Sequence, residues 1–165
     1  MSNVISANAL FHFTPKVDYL ISILDKGFYP RFCIEDISSF TPEKMGLKLI
    51  AQPMLCFCDI SLSMISEHIL KYGRFGIGMN KQWGSEIGLC PIMYIPKETV
   101  SSKLINHIHW NTYILSHKEE QYNYTEFLAG FLALRNYFKS NTGNLYKGGM
   151  FSEKTYNFYN EREWR

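Results

Sequence analysis

Apolar and polar positions alternate through "LFHFT", residues 10 to 14, so that Leu10, His12 and Thr14 face one way and Phe11 and Phe13 the other. That is the period of a half-buried strand. In "TPKVDYLISILDKG" the period becomes helical: Val17, Leu20, Ile21 and Leu24 form an apolar stripe that should turn inward. Thr14 is placed to cap this helix, Pro15 to enter its first turn and Gly27 to end it. Residues 28 to 53 carry Pro30, Pro42, Gly46 and Pro53 and read as a long irregular segment of the kind that serves function. "MLCFC", residues 54 to 58, is a continuous apolar run and reads as a strand buried on both faces.

"LSMISEHILKYG" then reads as a helix capped by Asp59 or Ser61, with Leu62, Ile65, Ile69 and Leu70 inward and Gly73 as its stop. "RFGIGMN" is a third strand whose Gly76 and Gly78 share a face, leaving room for a backbone or a ligand. A short helix around Trp83 leads to "PIMYIP", a fourth strand. From about Thr99 to Lys139 the pattern is helical, and Phe127, Phe131, Leu134 and Phe138 should lay a broad apolar face on the sheet. After "NTGNLYKGG" an aromatic-rich segment returns as a hairpin or central strand and ends on "FYNEREWR". With no repeat and no linker, this order predicts an α+β chain with one domain over residues 1 to 165, a mixed β-sheet with helices packed on it.

Composition narrows the function classes. The 165 residues include 12 Phe and 11 Tyr, enough large apolar surface for a folded core. A net charge of +2 is too small for the broad positive field of a phosphate-backbone binder, and no helix-turn-helix with a basic face is visible, so nucleic acid is not an expected partner. No run of about 18 apolar residues exists, and "MSNVISANALFHF" is not a leader, which predicts a cytoplasmic protein with no membrane association. Cys33, Cys56, Cys58 and Cys90, with one Cys-x-Cys in an apolar run, suit reduced buried thiols and not a disulfide framework or a metal site.

Three groups of residues could carry chemistry. His12 and Thr14 sit about 7 Å apart on one strand face, close enough to bond one ligand such as a ribose. The alternative is a helix cap beside a satisfied histidine. If residues 156 to 165 form one strand, Glu161, Glu163 and Arg165 share a face opposite Arg162 and Trp164. Those carboxylates either orient a sugar hydroxyl, with their pKa values split by burial and the arginine, or mark a solvated edge whose charges discourage pairing. Asp59, Ser61, Ser63, His68, Tyr72 and Arg74 flank the second strand and the helix after it; Arg74 begins the third strand and its guanidinium could meet a phosphate or carboxylate, while the alternative for most of this set is capping and surface. His107, His109 and His117, near Trp110, have the irregular spacing of solvated helix residues.

The segments "LFHFTPKVDYLISILDKGFYPRFC", "PMLCFCDISLSMISEHILKYGRFGIGMNKQWG" and "FYNEREWR" resemble, in this order and over most of the chain, the AbiGi family of bacterial abortive phage resistance proteins. The resemblance implies a component of a toxin–antitoxin type abortive infection system, a regulatory protein whose partner is a cognate, nucleotidyltransferase-like toxin. It implies no mechanism. Family members continue past the Glu-Arg-Glu-Trp-Arg motif, so an ending at Arg165 reads as truncation. A second pattern, His-x-Thr on a first strand ahead of a helix with Glu on a late strand, is similar to ADP-ribosyltransferases of the DarT-like and RNA 2'-phosphotransferase kind. That similarity implies an NAD-dependent ADP-ribosyltransferase or NAD-cleaving enzyme. His12 and Thr14 would hold the adenosine ribose of NAD, and Glu163 or Glu161 would orient the nicotinamide ribose or the acceptor. Tyr72 and Arg74 would stand at the middle position, which has no clean match. This chemistry requires His12 and the final glutamates to face one ligand-sized hollow.

Overall fold

"LFHFT" forms the central part of β1, Ala9–Thr14, which runs between two other strands of a sheet. In this computed structural model, which describes residues 8–116 and 125–165, the chain builds two compact units interleaved in sequence. The first gathers Pro53–Ile92, Asn160–Arg165 and the described residues up to Phe32. The second takes Cys33–Gln52 and the described residues of Met93–Tyr159. Helices and strands are mixed along the chain, so its class is α+β.

The first unit holds a four-stranded sheet in the order β10-β4-β1-β5, where β4 is Phe57–Cys58, β5 is Phe75–Asn80 and β10 is Glu163–Trp164. β1 pairs antiparallel with β5 along its whole length, from Ala9 opposite Asn80 to Thr14 opposite Phe75. On its other side Phe11 faces Cys58, and Cys58 in turn faces Glu163. The first and last strands of the chain therefore lie one strand apart. β10 is not an edge: the Ile92 amide donates to the Glu163 carbonyl at 2.8 Å, and Cys90 and Arg165 exchange backbone bonds at 2.9 and 3.0 Å. The solvated-edge reading of "EREWR" fails because backbone partners occupy both sides.

The glycines on β5 are explained by this packing. A Cβ on Gly76 would lie 2.6 Å from the Phe13 ring, and one on Gly78 would lie 2.9 Å from the Phe11 ring. The expected room for a ligand is filled by the two phenylalanines. Gly73, with φ of 113°, is tighter still, since its Cβ would sit 2.2 Å from the Thr14 carbonyl oxygen. Gly73→Ala is expected to destabilise the protein by about 2 kcal/mol, through the clash and the positive φ. Gly130→Ala, on a helix with open space where the methyl would go, is expected to stabilise it by about 0.5–1 kcal/mol. Urea unfolding of both variants checks the opposite signs.

Helix α1, Val17–Lys26, begins later than its sequence suggests. Thr14 is still paired in the β1 ladder, so Lys16 occupies the cap position and the Thr14 hydroxyl donates to the Lys16 carbonyl at 3.0 Å instead of capping. Pro15 falls before the helix. The apolar stripe does not turn inward as a whole: Leu20 and Ile23 are half-buried, whereas Val17, Ile21 and Leu24 are exposed.

Helix α2, Ser66–Tyr72, is entered through a single 3-10 turn at Leu62–Met64 and has Ile65 at its cap, so neither Asp59 nor Ser61 caps it. Ile65 is buried, but Leu62 and Leu70 are exposed. Helix α3, Lys81–Glu86, forms around Trp83, and the Asn80 side chain accepts the Gln82 amide at 2.7 Å as its cap.

Two expectations for the middle of the chain change. Residues 28 to 53 contain β2, Arg31–Asp36, and all but the last residue of β3, Leu49–Met54, and the two strands pair as a two-stranded sheet. Few of their side chains are buried, so burial imposes no clean alternation for a sequence pattern to show. "MLCFC" is split accordingly, with Met54 ending β3 and only Phe57 and Cys58 in β4.

In the second unit β6, Met93–Ile95, pairs parallel with β7, Phe138–Ser140. β8, Thr142–Lys147, and β9, Met150–Asn157, form a hairpin across Gly148 and Gly149. The long helical stretch resolves into α4, Val100–Ser116, and α5, Thr125–Arg135. Phe40, Ile95, Ile105, Phe131 and Phe138 make the core here. Phe127 and Leu134 are exposed and line an apolar groove of about 400 Å³ with Ile105, Ile108 and Phe131. His107 is exposed as expected, His109 is buried, and His117 lies outside the described residues. Ser102, Ile105, His109 and Thr112 are all buried on α4, which places His109 on the packed face.

Candidate functional site

Residues opposite one another in an antiparallel pair project to the same face of a sheet, and their chain neighbours project to the other. In the first unit this rule separates two groups of side chains. Phe11, Cys58 and Glu163 form one row on one face, so His12, Phe57 and Trp164 belong to the opposite face.

The His12 face is aromatic. The imidazole packs against Phe28 and Phe57, each with ring centroids at 5.6 Å, and Trp83 closes on both of those rings at 5.9 and 5.7 Å. The Cys56 carbonyl lies 2.8 Å from Nδ1, and a carbonyl only accepts, so Nδ1 carries the proton. Burial lowers the pKa of His12 and outweighs the backbone hydrogen bond, which raises it. Thr14, on the same face by alternation, commits its hydroxyl to Lys16.

The opposite face holds the carboxylates. Phe13 packs on His68 at 5.5 Å and His68 on Tyr72 at 4.6 Å, which brings α2 to this side of the sheet. The Tyr72 hydroxyl donates to Glu161 Oε1 at 2.8 Å, and the Lys71 ammonium reaches the same oxygen at 3.2 Å. This pair is nearly dry, with side-chain exposures of 9% for Lys71 and 4% for Glu161. Glu163 accepts from Arg165 Nε at 2.7 Å, again with both side chains buried. The Cys58 thiol is pushed up to about 12, chiefly by burial, with the charges of Glu161 and Asp59 adding to the rise. Asp59 is ion-paired with Lys81 at 2.8 Å.

Residues 156 to 165 are not one strand. β9 ends at Asn157, a 3-10 turn covers Phe158–Glu161, and Arg162 adopts φ of 44° before β10 starts. That left-handed residue turns its carbonyl toward the Asp59 amide, 3.0 Å away. The structure therefore brings Tyr72 and Glu161 together and places Glu163 on the same side as Cys58. It does not bring His12 or Thr14 to them, because the sheet intervenes. Arg74 is exposed, with its guanidinium 5.5 Å from the centroid of its neighbour Phe75. Asp59 joins this polar cluster, as do Lys71 and Lys81, which were missed in sequence. The signal available was their adjacency to Tyr72 and the Asn80 cap.

Chemically, an ionised carboxylate bound by a buried ammonium and a phenol holds backbone segments together. Binding a ligand would first require breaking those bonds. His109, in the second unit, parallels His12: its Nδ1 donates to the Phe40 carbonyl, its Nε2 is buried with no hydrogen-bond partner among the described residues, and burial is the main cause of its lowered pKa. Both histidines bind their protons more weakly folded than unfolded. Stability is thus complete above the unfolded value of about 6.5 and falls as pH drops through it toward the folded values. Urea midpoints are expected to decline from pH 7.5 to pH 5.5, and a His12→Gln/His109→Gln variant is expected to flatten that decline.

Among the described residues no group of three or more His, Cys, Asp or Glu could hold a metal ion, and no helix is long and apolar enough to cross a membrane. No solved structure matches the chain. The family model described as "Putative abortive phage resistance protein AbiGi, antitoxin" matches residues 26–165. A curated relative, the abortive phage resistance protein AbiGi of Lactococcus lactis subsp. cremoris, is 30% identical over 154 residues, covering 84% of this chain and 61% of that protein. The chain spans about three fifths of that relative's length. These matches include the strands and helices that carry the buried carboxylate cluster, and on them the chain belongs to the AbiGi family.

Proposed function

We propose that this protein is the regulatory, partner-binding component of a toxin–antitoxin type abortive infection system, acting in the cytoplasm on its cognate toxin. The family match supplies the role. The observation that carries the choice of a binding protein over an NAD-using enzyme is the state of the carboxylates. Glu161 and Glu163 are committed to Lys71, Tyr72 and Arg165, and the sheet separates Glu163 from the imidazole of His12. Groups so engaged make a rigid scaffold, and a rigid scaffold presents a preformed surface with little ordering cost on association.

Co-expression with a candidate cognate toxin tests this reading. The expected result is co-elution through affinity and size-exclusion steps at native salt, together with relief of toxin-dependent growth arrest. Separate elution with no relief of arrest would overturn it.

A further inference from the structure

We propose that the exposed side of α1 is the docking site for an amphipathic helix of a partner protein, one whose apolar row is bordered by lysine or arginine. The proposal rests on the partner-binding reading above and adds the surface and the chemistry of what it takes.

At about 100° per residue, Val17, Ile21 and Leu24 lie within a sector of α1 about 60° wide. These residues are 45%, 56% and 67% exposed, while Leu20 and Ile23, toward the packed side, are half-buried. A branched apolar row left in water on a regular ten-residue helix is unfavourable for a solitary protein and suits helix-on-helix packing.

The charges beside the row indicate the occupant. Asp18 and Asp25, seven positions apart, project to the same flank of the stripe, and both are exposed. Neither carboxylate has an ion-pair partner among the described residues. A helix laid along the row would bring its own flank against them, and basic residues there would complement both charges. A second copy of this chain fits poorly. Antiparallel two-fold pairing of α1 with itself sets like flanks side by side and brings Asp18 of one copy near Asp25 of the other, a like-charge contact.

Two labelled, stapled helical peptides of about 16 residues, each with leucines at helical spacing, test this by fluorescence anisotropy. One carries arginines along a single flank and the other glutamates. The wild-type protein is expected to bind the arginine peptide about tenfold more tightly than the glutamate peptide, and Ile21→Asp to weaken that binding about tenfold or more. Asp18→Lys/Asp25→Lys, which alters only exposed positions, is expected to reverse the preference. Equal binding of the two peptides, no binding of either, or a preference unmoved by the double substitution would overturn the proposal. It also falls if the protein alone is a dimer that Ile21→Asp dissociates, because the stripe would then be occupied by a second copy. Because the peptides need no toxin, a failure here is distinct from a failure of co-elution. A toxin complex indifferent to Ile21→Asp would keep the function and remove this site.

Discussion

Glu161→Ala is expected to destabilise the protein by about 3–5 kcal/mol, the cost typical of removing one partner from a buried ion pair. The carboxylate bonds the Lys71 ammonium at 3.2 Å and the Tyr72 hydroxyl at 2.8 Å in a site that admits almost no water. Its loss leaves the ammonium desolvated without this counter-charge and the phenol without this acceptor. Glu161→Gln keeps an acceptor for Tyr72 and removes only the charge, so its cost should be smaller. Lys71→Met/Glu161→Leu should recover much of the loss, because an apolar pair of similar volume needs no desolvation of charge. Urea unfolding at unchanged m-value, run on all three variants, checks the ordering. A Glu161→Ala variant as stable as the parent would mean that the carboxylate is solvated and free for other work.

Phe57→Ala is the second large effect, again about 3–5 kcal/mol, since a fully buried ring is replaced by a cavity. Phe57 touches His12, Phe28 and Trp83, so the substitution also opens the enclosure around the imidazole. Desolvation is the main reason that the His12 pKa is low, so water admitted to the cavity should move it back up toward 6.5. An NMR titration of the His12 ring in both proteins reads that shift, and an unmoved value would mean that Phe57 does not enclose the ring.

Elements with strong local signals were legible in the sequence. β1 lies on the segment whose alternation marks a strand, α1 ends at Gly27 as its sequence indicates, and α3 forms around Trp83. What the sequence did not show is which side of an element is covered. The stripe on α1 is a sound helix signal, yet periodicity says nothing about whether a partner lies over Val17, Ile21 and Leu24. The cap assigned to Thr14 failed because strand pairing with Phe75 competes for the same residue.

The glutamates show the same limit more sharply. Their neighbourhood with the first strand was readable from the end-to-end motif pattern, and the α+β class and family followed from the same segments. Face assignment, however, depends on register through β4. A single-residue slip in that pairing would have turned the side chain of Glu163 to the face of His12. The break at Arg162 is equally invisible in sequence, since arginine does not advertise a left-handed conformation.

We expect the closing carboxylates of this chain to hold the fold together without acting on a nucleotide. Incubating the purified protein with nicotinamide-labelled NAD, alone and with a candidate cognate toxin, beside Glu163→Gln, decides this. Nicotinamide release is expected at the level of the protein-free control in every sample. Release that requires the native protein and disappears in Glu163→Gln would contradict it.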